Sequence, residues 1–440
     1  MNTSASAAAK TIASDTAAPV FIGRHPSLPD GLATPSVLFI DQSGQLGGAE
    51  VCLLPLAATW AARREVLLLS DGPFRAKLES FDVPVRLVCD ERISSIKKRA
   101  TRLSWLMALP AIVRQVRTIA RHAESFDLLF LNTQKALVLG ALGKPLHRKR
   151  IIWHLHDIMS GEHFGPLQRW IVKWLTRYAV DHVVANSHAS AASLVALTGC
   201  KPESVPVVHN GVDLDAFSQI DGSDTGALRR HLGLPEHVYL AGLFGRLAPW
   251  KGQHIALEAL ARLPDLHLVL VGSALFGEQA YVESLRQQAV RLGVEERLIF
   301  AGFRDDIPAW MKAVDVILHT STEPEPFGRV IIEGMAAGRP VIAASAGGVT
   351  EIVRHRKNGW LVAPGKVEAL AEAIETLQAA PELAQRIADQ ALIDVGQYFS
   401  VDAYLERMVR TIATPPVDTL QEPAARMCVR HRTMRRPPFT

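Results

Sequence analysis

Short apolar runs alternate with helical patterns along almost the whole chain, and this alternation constrains the fold more than any other feature. In the first half the runs fall at 36–41, 66–70, 85–89, 127–132, 151–155, 182–186 and 205–209. In the second half they fall at 238–244, 267–272, 298–302, 315–320, 340–344 and 360–362. They are rich in Val, Leu and Ile and apolar on both faces, as parallel strands covered by helices are. Strands alternating with helices build doubly wound α/β sheets, and 440 residues are too many for one ordinary core, so two such sheets in series are expected. The join falls near 213–235, a polar stretch containing glycine. Two open parallel sheets in series place a ligand cleft between the carboxyl ends of their strands.

Composition excludes several classes. The net charge of +4 does not suggest a nucleic-acid binder. The four cysteines (Cys52, Cys89, Cys200, Cys428) show no paired spacing, so free thiols in a reducing compartment are expected, with no metal framework. The first residues lack a charged leader followed by an apolar run, and no stretch is long enough to span a bilayer; a cytoplasmic location is expected. Residues 1–34 are expected to be a disordered tail, and 415–440, rich in Pro and Arg, a basic one.

The segment 315–353 carries the most chemistry. A strand ends in Ser321-Thr322-Glu323-Pro324-Glu325-Pro326, a helical pattern runs from Phe327 to Ala336, and a second strand leads to Ala346-Gly347-Gly348-Val349. Amides at the helix start, near Phe327–Val330, have no intrahelical partner and sit at the positive end of a dipole, suited to a phosphate or hydroxyl oxygen. Glu325 precedes the helix and Glu333 lies two turns inside it. Each carboxylate can accept hydrogen bonds from vicinal hydroxyls. Gly347 and Gly348 would let backbone approach a ligand closely.

Glu325-Pro-Phe-Gly-Arg-Val-Ile-Ile-Glu333, continued by Gly334-Met-Ala-Ala-Gly-Arg-Pro-Val-Ile-Ala-Ala and Ala346-Gly-Gly-Val-Thr-Glu-Ile-Val, resembles the E-x7-E region of retaining glycosyltransferases of family 4. The resemblance extends over roughly 36–410. It implies the GT-B architecture, two Rossmann-like doubly wound parallel-sheet domains facing a central cleft. The acceptor side is expected over 35–215 and the nucleotide-sugar side over 216–396, with a helix near 397–413 packing back on the first domain. It further implies that Glu325 contacts donor-sugar hydroxyls, that Glu333 grips the ribose, and that the amides of Phe327 and Gly328, with Val330, line the donor site.

Other segments take their roles beside these. Arg246 and Lys251 bracket a turn leading into a helix, where two cations stabilise a leaving diphosphate without a metal; the segment resembles the family's phosphate site. The turn Ile40-Asp-Gln-Ser-Gly-Gln-Leu-Gly-Gly-Ala-Glu50 is not G-x-G-x-x-G and is weak alone; the resemblance turns Gly47 and Gly48 toward donor phosphates and acceptor. His154 and His156 share one strand face, with no third metal ligand at sensible spacing, and the resemblance places His156 near the scissile bond. Asp213-Leu-Asp215 resembles the family's interdomain strand exit more than a metal-binding pair. No metal or other cofactor is expected. Between Arg92 and Ala123 basic residues interleave with apolar ones and no acid occurs, a pattern shared by an ordinary packed helix pair and a helix lying on an anionic membrane. The expected partners are a nucleotide-sugar donor and a glycan or lipid-linked acceptor.

Overall fold

A computed structural model describes residues 34–89, 102–274 and 277–414, with backbone alone for 102–108. Both expected tails and the start of the basic stretch lie outside these residues, apart from Thr34.

The first sheet comprises β1 (Val37–Asp41), β2 (Arg64–Leu68), β3 (Val85–Leu87), β4 (Leu128–Leu131), β5 (Arg150–Leu155) and β6 (His182–Ala185), all parallel, in the order β3-β2-β1-β4-β5-β6. The second comprises β7 (Tyr239–Phe244), β8 (Leu266–Val271), β9 (Leu298–Gly302), β10 (Val316–His319), β11 (Val341–Ala344) and β12 (Trp360–Val362), in the order β12-β11-β10-β7-β8-β9. The two orders are the same topology repeated. In each sheet the direction of winding reverses beside the first strand, at β1/β4 and at β7/β10, and a crevice opens there at the carboxyl ends. Helices cover both faces, so β1, β4, β6, β10 and β11 are buried along their whole length. That double burial is why their sequences are apolar except at Asp41, His182 and His319.

One expected strand does not form. The run 205–209 makes a single bridge, Val207 to Ala185, held by Ala185 N–H to Pro206 O (3.0 Å) and Val208 N–H to Ala185 O (2.9 Å). Pro206 has no N–H to extend the ladder. The polar join also differs from a plain linker. It folds into the helices Leu214–Ser218 and Thr225–Leu232, and Phe217 and Leu234 enter the second core. Asp213 caps the first of these, its Oδ1 accepting from the amides of Asp215 and Ala216.

The chain crosses between the lobes twice, and the crossings pair: Val212 N–H donates to Phe399 O and Val401 N–H to Val212 O, both at 2.9 Å. The helix Pro381–Tyr398 packs on the second core through Ala391 and Val395. The helix Val401–Ala413 packs on the first through Tyr404, Leu405, Met408 and Ile412, with Tyr404 Oη donating to Cys52 O at 3.1 Å.

Candidate active site

Lys251 and Glu325 meet at the β7/β10 switch point. Lys251 ends a 3₁₀ turn, Pro249–Lys251, that leads into the helix Gln253–Arg262. Gly252 lets this turn pass the loop after β10, because a Cβ there would lie 2.0 Å from Thr320 O. The Lys251 ammonium pairs with Glu325 Oε1. The same oxygen is 3.1 Å from His319 Nε2 and accepts from Ser321 Oγ at 2.5 Å. Burial pushes the Glu325 carboxyl up, but the charges of Lys251 and His319 and their hydrogen bonds overcome this and hold it well below the usual carboxylate range. Arg246 joins from the end of β7. Its guanidinium lies 5.5 Å and the Lys251 ammonium 4.4 Å from the Trp250 ring centre, and Arg246 Nε is 3.5 Å from Glu278 Oε2.

The motif helix begins at Arg329, later than the pattern suggested, because Gly328 has φ +99° and cannot continue a right-handed helix. Glu333 therefore stands one turn inside rather than two. No side chain caps this helix, and Val330 in its first turn packs on the second core. Glu333 Oε1 accepts from Arg329 NH2 at 2.8 Å, and Arg329 NH1 crosses to the first lobe, reaching Gly211 O at 3.0 Å and Cys52 Sγ at 3.4 Å. The Phe327 side chain is buried against His209 and Phe399. Gly347 and Gly348 serve a different approach from the one expected: Cβ atoms there would lie 2.2 Å from Glu325 O and Pro326 O, so these glycines let two loops of the chain touch.

Across the crevice, Gly47 caps the helix Gly48–Thr59, and a Cβ on Gly48 would lie 3.6 Å from Arg329 Cδ. Gly48, Arg329 and Glu333 thus form one wall. Behind Gly47 lies a buried chain of polar groups at the β1/β4 switch point. Glu50 Oε2 accepts from Gly47 N–H (3.0 Å), and Asp41 Oδ2 accepts from Asn132 Nδ2 (2.6 Å), which also donates to Ala49 O (3.1 Å). These bonds orient the Asn132 amide so that its oxygen faces His156 Nε2 at 3.1 Å. An amide oxygen only accepts, so His156 carries its proton on Nε2 and a lone pair on Nδ1. Burial and the nearby Arg329 charge push His156 down to about 3, which keeps it neutral. His154, its ring centre 3.9 Å away, is fully buried against Phe130 and Tyr404.

Burial and the neighbouring Asp41 charge push Glu50 up to about 8. A carboxyl raised on folding stabilises the fold below its unfolded value, and that contribution is lost as pH rises through the folded value. The expected result is a thermal midpoint that falls as pH rises from about 5 to about 8 in the wild type, levels above that, and stays flatter in Glu50→Gln, read by calorimetry.

A third cluster joins the lobes. Glu351, on the second lobe, accepts at 2.8 Å from the amides of His188 and Ala189, which open the helix His188–Thr198, and lies 2.8 Å from His209 Nε2. Burial pushes this carboxyl up, but these hydrogen bonds and the His209 charge leave it lowered overall. His188, His209 and Glu351 are also the group among the described residues whose spacing would suit a metal ion. Both Glu351 oxygens, however, already hold N–H groups, so the cluster works as a pin between lobes. Glu351→Gln should raise amide exchange at His188 and Ala189 about tenfold or more, checked by hydrogen exchange, since a charged acceptor contributes about 1.5–3 kcal/mol.

The sequence reading missed His319, Ser321, Asp41, Asn132, Arg329, Glu351 and His209 as parts of the site. Each is a single polar residue near a strand end, in a loop or in a first helical turn, and only its partner, 4 to 277 residues away, gives it a role.

Two sheets of one topology, with an acid–cation cluster at the carboxyl end of the second, define the GT-B architecture. Residues 46–216 match Glycosyltransferase Family 4, and residues 224–392 match the glycosyl transferases group 1. The chain belongs to glycosyltransferase family 4. It is similar to Anabaena Alr3699/HepE, solved in complex with UDP and glucose, at 40% identity and a TM-score of 0.78, over 86% of this chain and 100% of that one. The same protein with UDP-glucose gives a TM-score of 0.77. The D-inositol 3-phosphate glycosyltransferase of Mycolicibacterium gilvum is 34% identical over 64% of this chain, and that of Streptomyces bingchenggensis 35% over 48%. The aligned parts span 63% and 48% of those two relatives.

Proposed function

We propose that this chain transfers a hexosyl group from a nucleotide sugar, UDP-glucose in the first instance, to an acceptor hydroxyl with retention of configuration. The acceptor class is a glycan or lipid-linked saccharide of cell-surface polysaccharide or glycolipid synthesis, met on the cytoplasmic side. The observation that carries this reading is the buried Lys251–Glu325 cluster at the second switch point, in the lobe whose Arg329 meets Gly48 across the crevice. The likeness to Anabaena HepE, solved with UDP-glucose, supports the choice of donor.

Each residue takes a role its chemistry allows. An ammonium has three N–H donors; Lys251 gives one to Glu325 and keeps others for the diphosphate, beside Arg246. Glu325, with one oxygen held by Lys251, His319 and Ser321, is a weak nucleophile and a fixed acceptor for sugar hydroxyls. The acceptor hydroxyl therefore attacks on the side from which the diphosphate departs. His156 offers Nδ1 as an acceptor to the sugar, and Glu333 takes the two ribose hydroxyls. The amides of Phe327 and Gly328, with Val330, line the sugar side, and Gly47 and Gly48 admit the phosphates. No metal is needed, because the cations supply the charge.

The test is turnover by the purified chain with UDP-glucose and saccharide acceptors, with and without a chelator, and with the anomeric configuration read by NMR. The expected result is acceptor-dependent UDP release, a product of the donor's configuration, and an unchanged rate in chelator. UDP-glucose binding with no release would leave a non-catalytic binding protein, and an epimerised free sugar would leave an epimerase.

A further inference from the structure

Helix Pro166–Tyr178 has two apolar sides. Val172 and Leu175 point into the first core. Leu167, Trp170, Trp174 and Tyr178, at steps of three and four residues, form a second stripe that is 48% to 61% exposed. A water-facing helix has no use for two tryptophans and a tyrosine in one row. Arg169, Lys173 and Arg177 run beside this stripe at intervals of four.

The surface continues onto neighbouring helices. Gln134–Leu142 packs between this helix and Arg102–Ala123. On the latter, Leu109 and Val113 are exposed, next to the basic row Arg114, Arg117 and Arg121. Eight of the fifteen exposed large apolar side chains among the described residues lie on this layer, including the short helix Lys144–His147, so they form a patch rather than scatter. These helices contain no Asp or Glu.

We propose that this helix layer, centred on Trp170 and Trp174, docks the enzyme on an anionic lipid bilayer. Charge and shape select this occupant. Indole and phenol rings sit at the level of lipid headgroups, and flanking Lys and Arg meet anionic phosphates. A second copy of the chain would set two acid-free basic faces against each other. The loop holding His156 and Asp157 leads directly into this helix, and His163 in that loop meets Glu323 of the second lobe at 3.3 Å. A docked helix therefore places the mouth of the crevice at the membrane surface. The inference goes beyond the proposed transfer reaction and stands without it.

The full chain is sedimented with vesicles of phosphatidylcholine alone and of phosphatidylcholine with phosphatidylglycerol. The expected result is binding that requires phosphatidylglycerol and weakens about tenfold or more in Trp170→Ser/Trp174→Ser, and also in Lys173→Glu/Arg177→Glu. An unchanged thermal shift with UDP-glucose shows that the variants are folded. Brominated lipid should quench wild-type tryptophan fluorescence, which tests the proposal without any variant. Absence of both binding and quenching, equal binding by the variants, or a wild-type dimer that the tryptophan substitutions dissociate without any vesicle binding would overturn it.

Discussion

Lys251→Ala is expected to lower turnover about 10²–10³-fold and to destabilise the fold by about 3–5 kcal/mol. The two effects have different origins. Turnover falls because a cation aimed at the departing diphosphate is gone. Stability falls because Glu325, 7% exposed, keeps its charge in a buried site with only His319 and Ser321 beside it. A second substitution separates them. In Lys251→Ala/Glu325→Gln the buried charge is removed, so the thermal midpoint recovers while turnover stays low. Denaturation by heat or urea, beside a rate assay of both variants, checks the pattern. Near-wild-type turnover in Lys251→Ala would remove the phosphate role.

Glu333→Ala should act chiefly on donor binding and cost folding less than Lys251→Ala does. Its pair with Arg329 spans one helical turn at 17% and 20% exposure, and without it the Arg329 guanidinium still holds Gly211 O. Two ribose hydroxyls donating to a carboxylate are worth about 1.5–3 kcal/mol each. Their loss is expected to raise the donor KM about a hundredfold or more and to change kcat little, because the ribose is gripped equally before and during reaction. Steady-state kinetics with UDP-glucose give the split. A kcat that falls with KM unchanged would place Glu333 at the reacting sugar and remove the ribose assignment.

The three clusters describe a crevice held from both sides. Arg329 ties Glu333 to Gly211 and Cys52 of the first lobe, and Glu351 ties the second lobe to the start of the helix His188–Thr198. The paired crossings at Val212 and Val401 add a third tie between the lobes. In the proposed reaction, water kept out of this crevice limits hydrolysis of the donor.

Strand positions were legible because a strand buried on both faces is apolar along nearly its whole length; β4 and β11 show this unbroken, and β1 and β10 do so up to their last residues, Asp41 and His319. Lys251, Glu325 and Glu333 were legible because their spacing and flanks resemble a known family. Residue order alone could not decide that Arg329 reaches across to Cys52, that Glu351 caps a helix of the other lobe, or that Trp170 and Trp174 face outward. A hydrophobic pattern reports only that a side chain avoids water. Hydrogen-bond partners and the identity of the covering surface depend on which distant segments the two sheets bring within a few ångströms, and that is settled only when both lobes have folded and met.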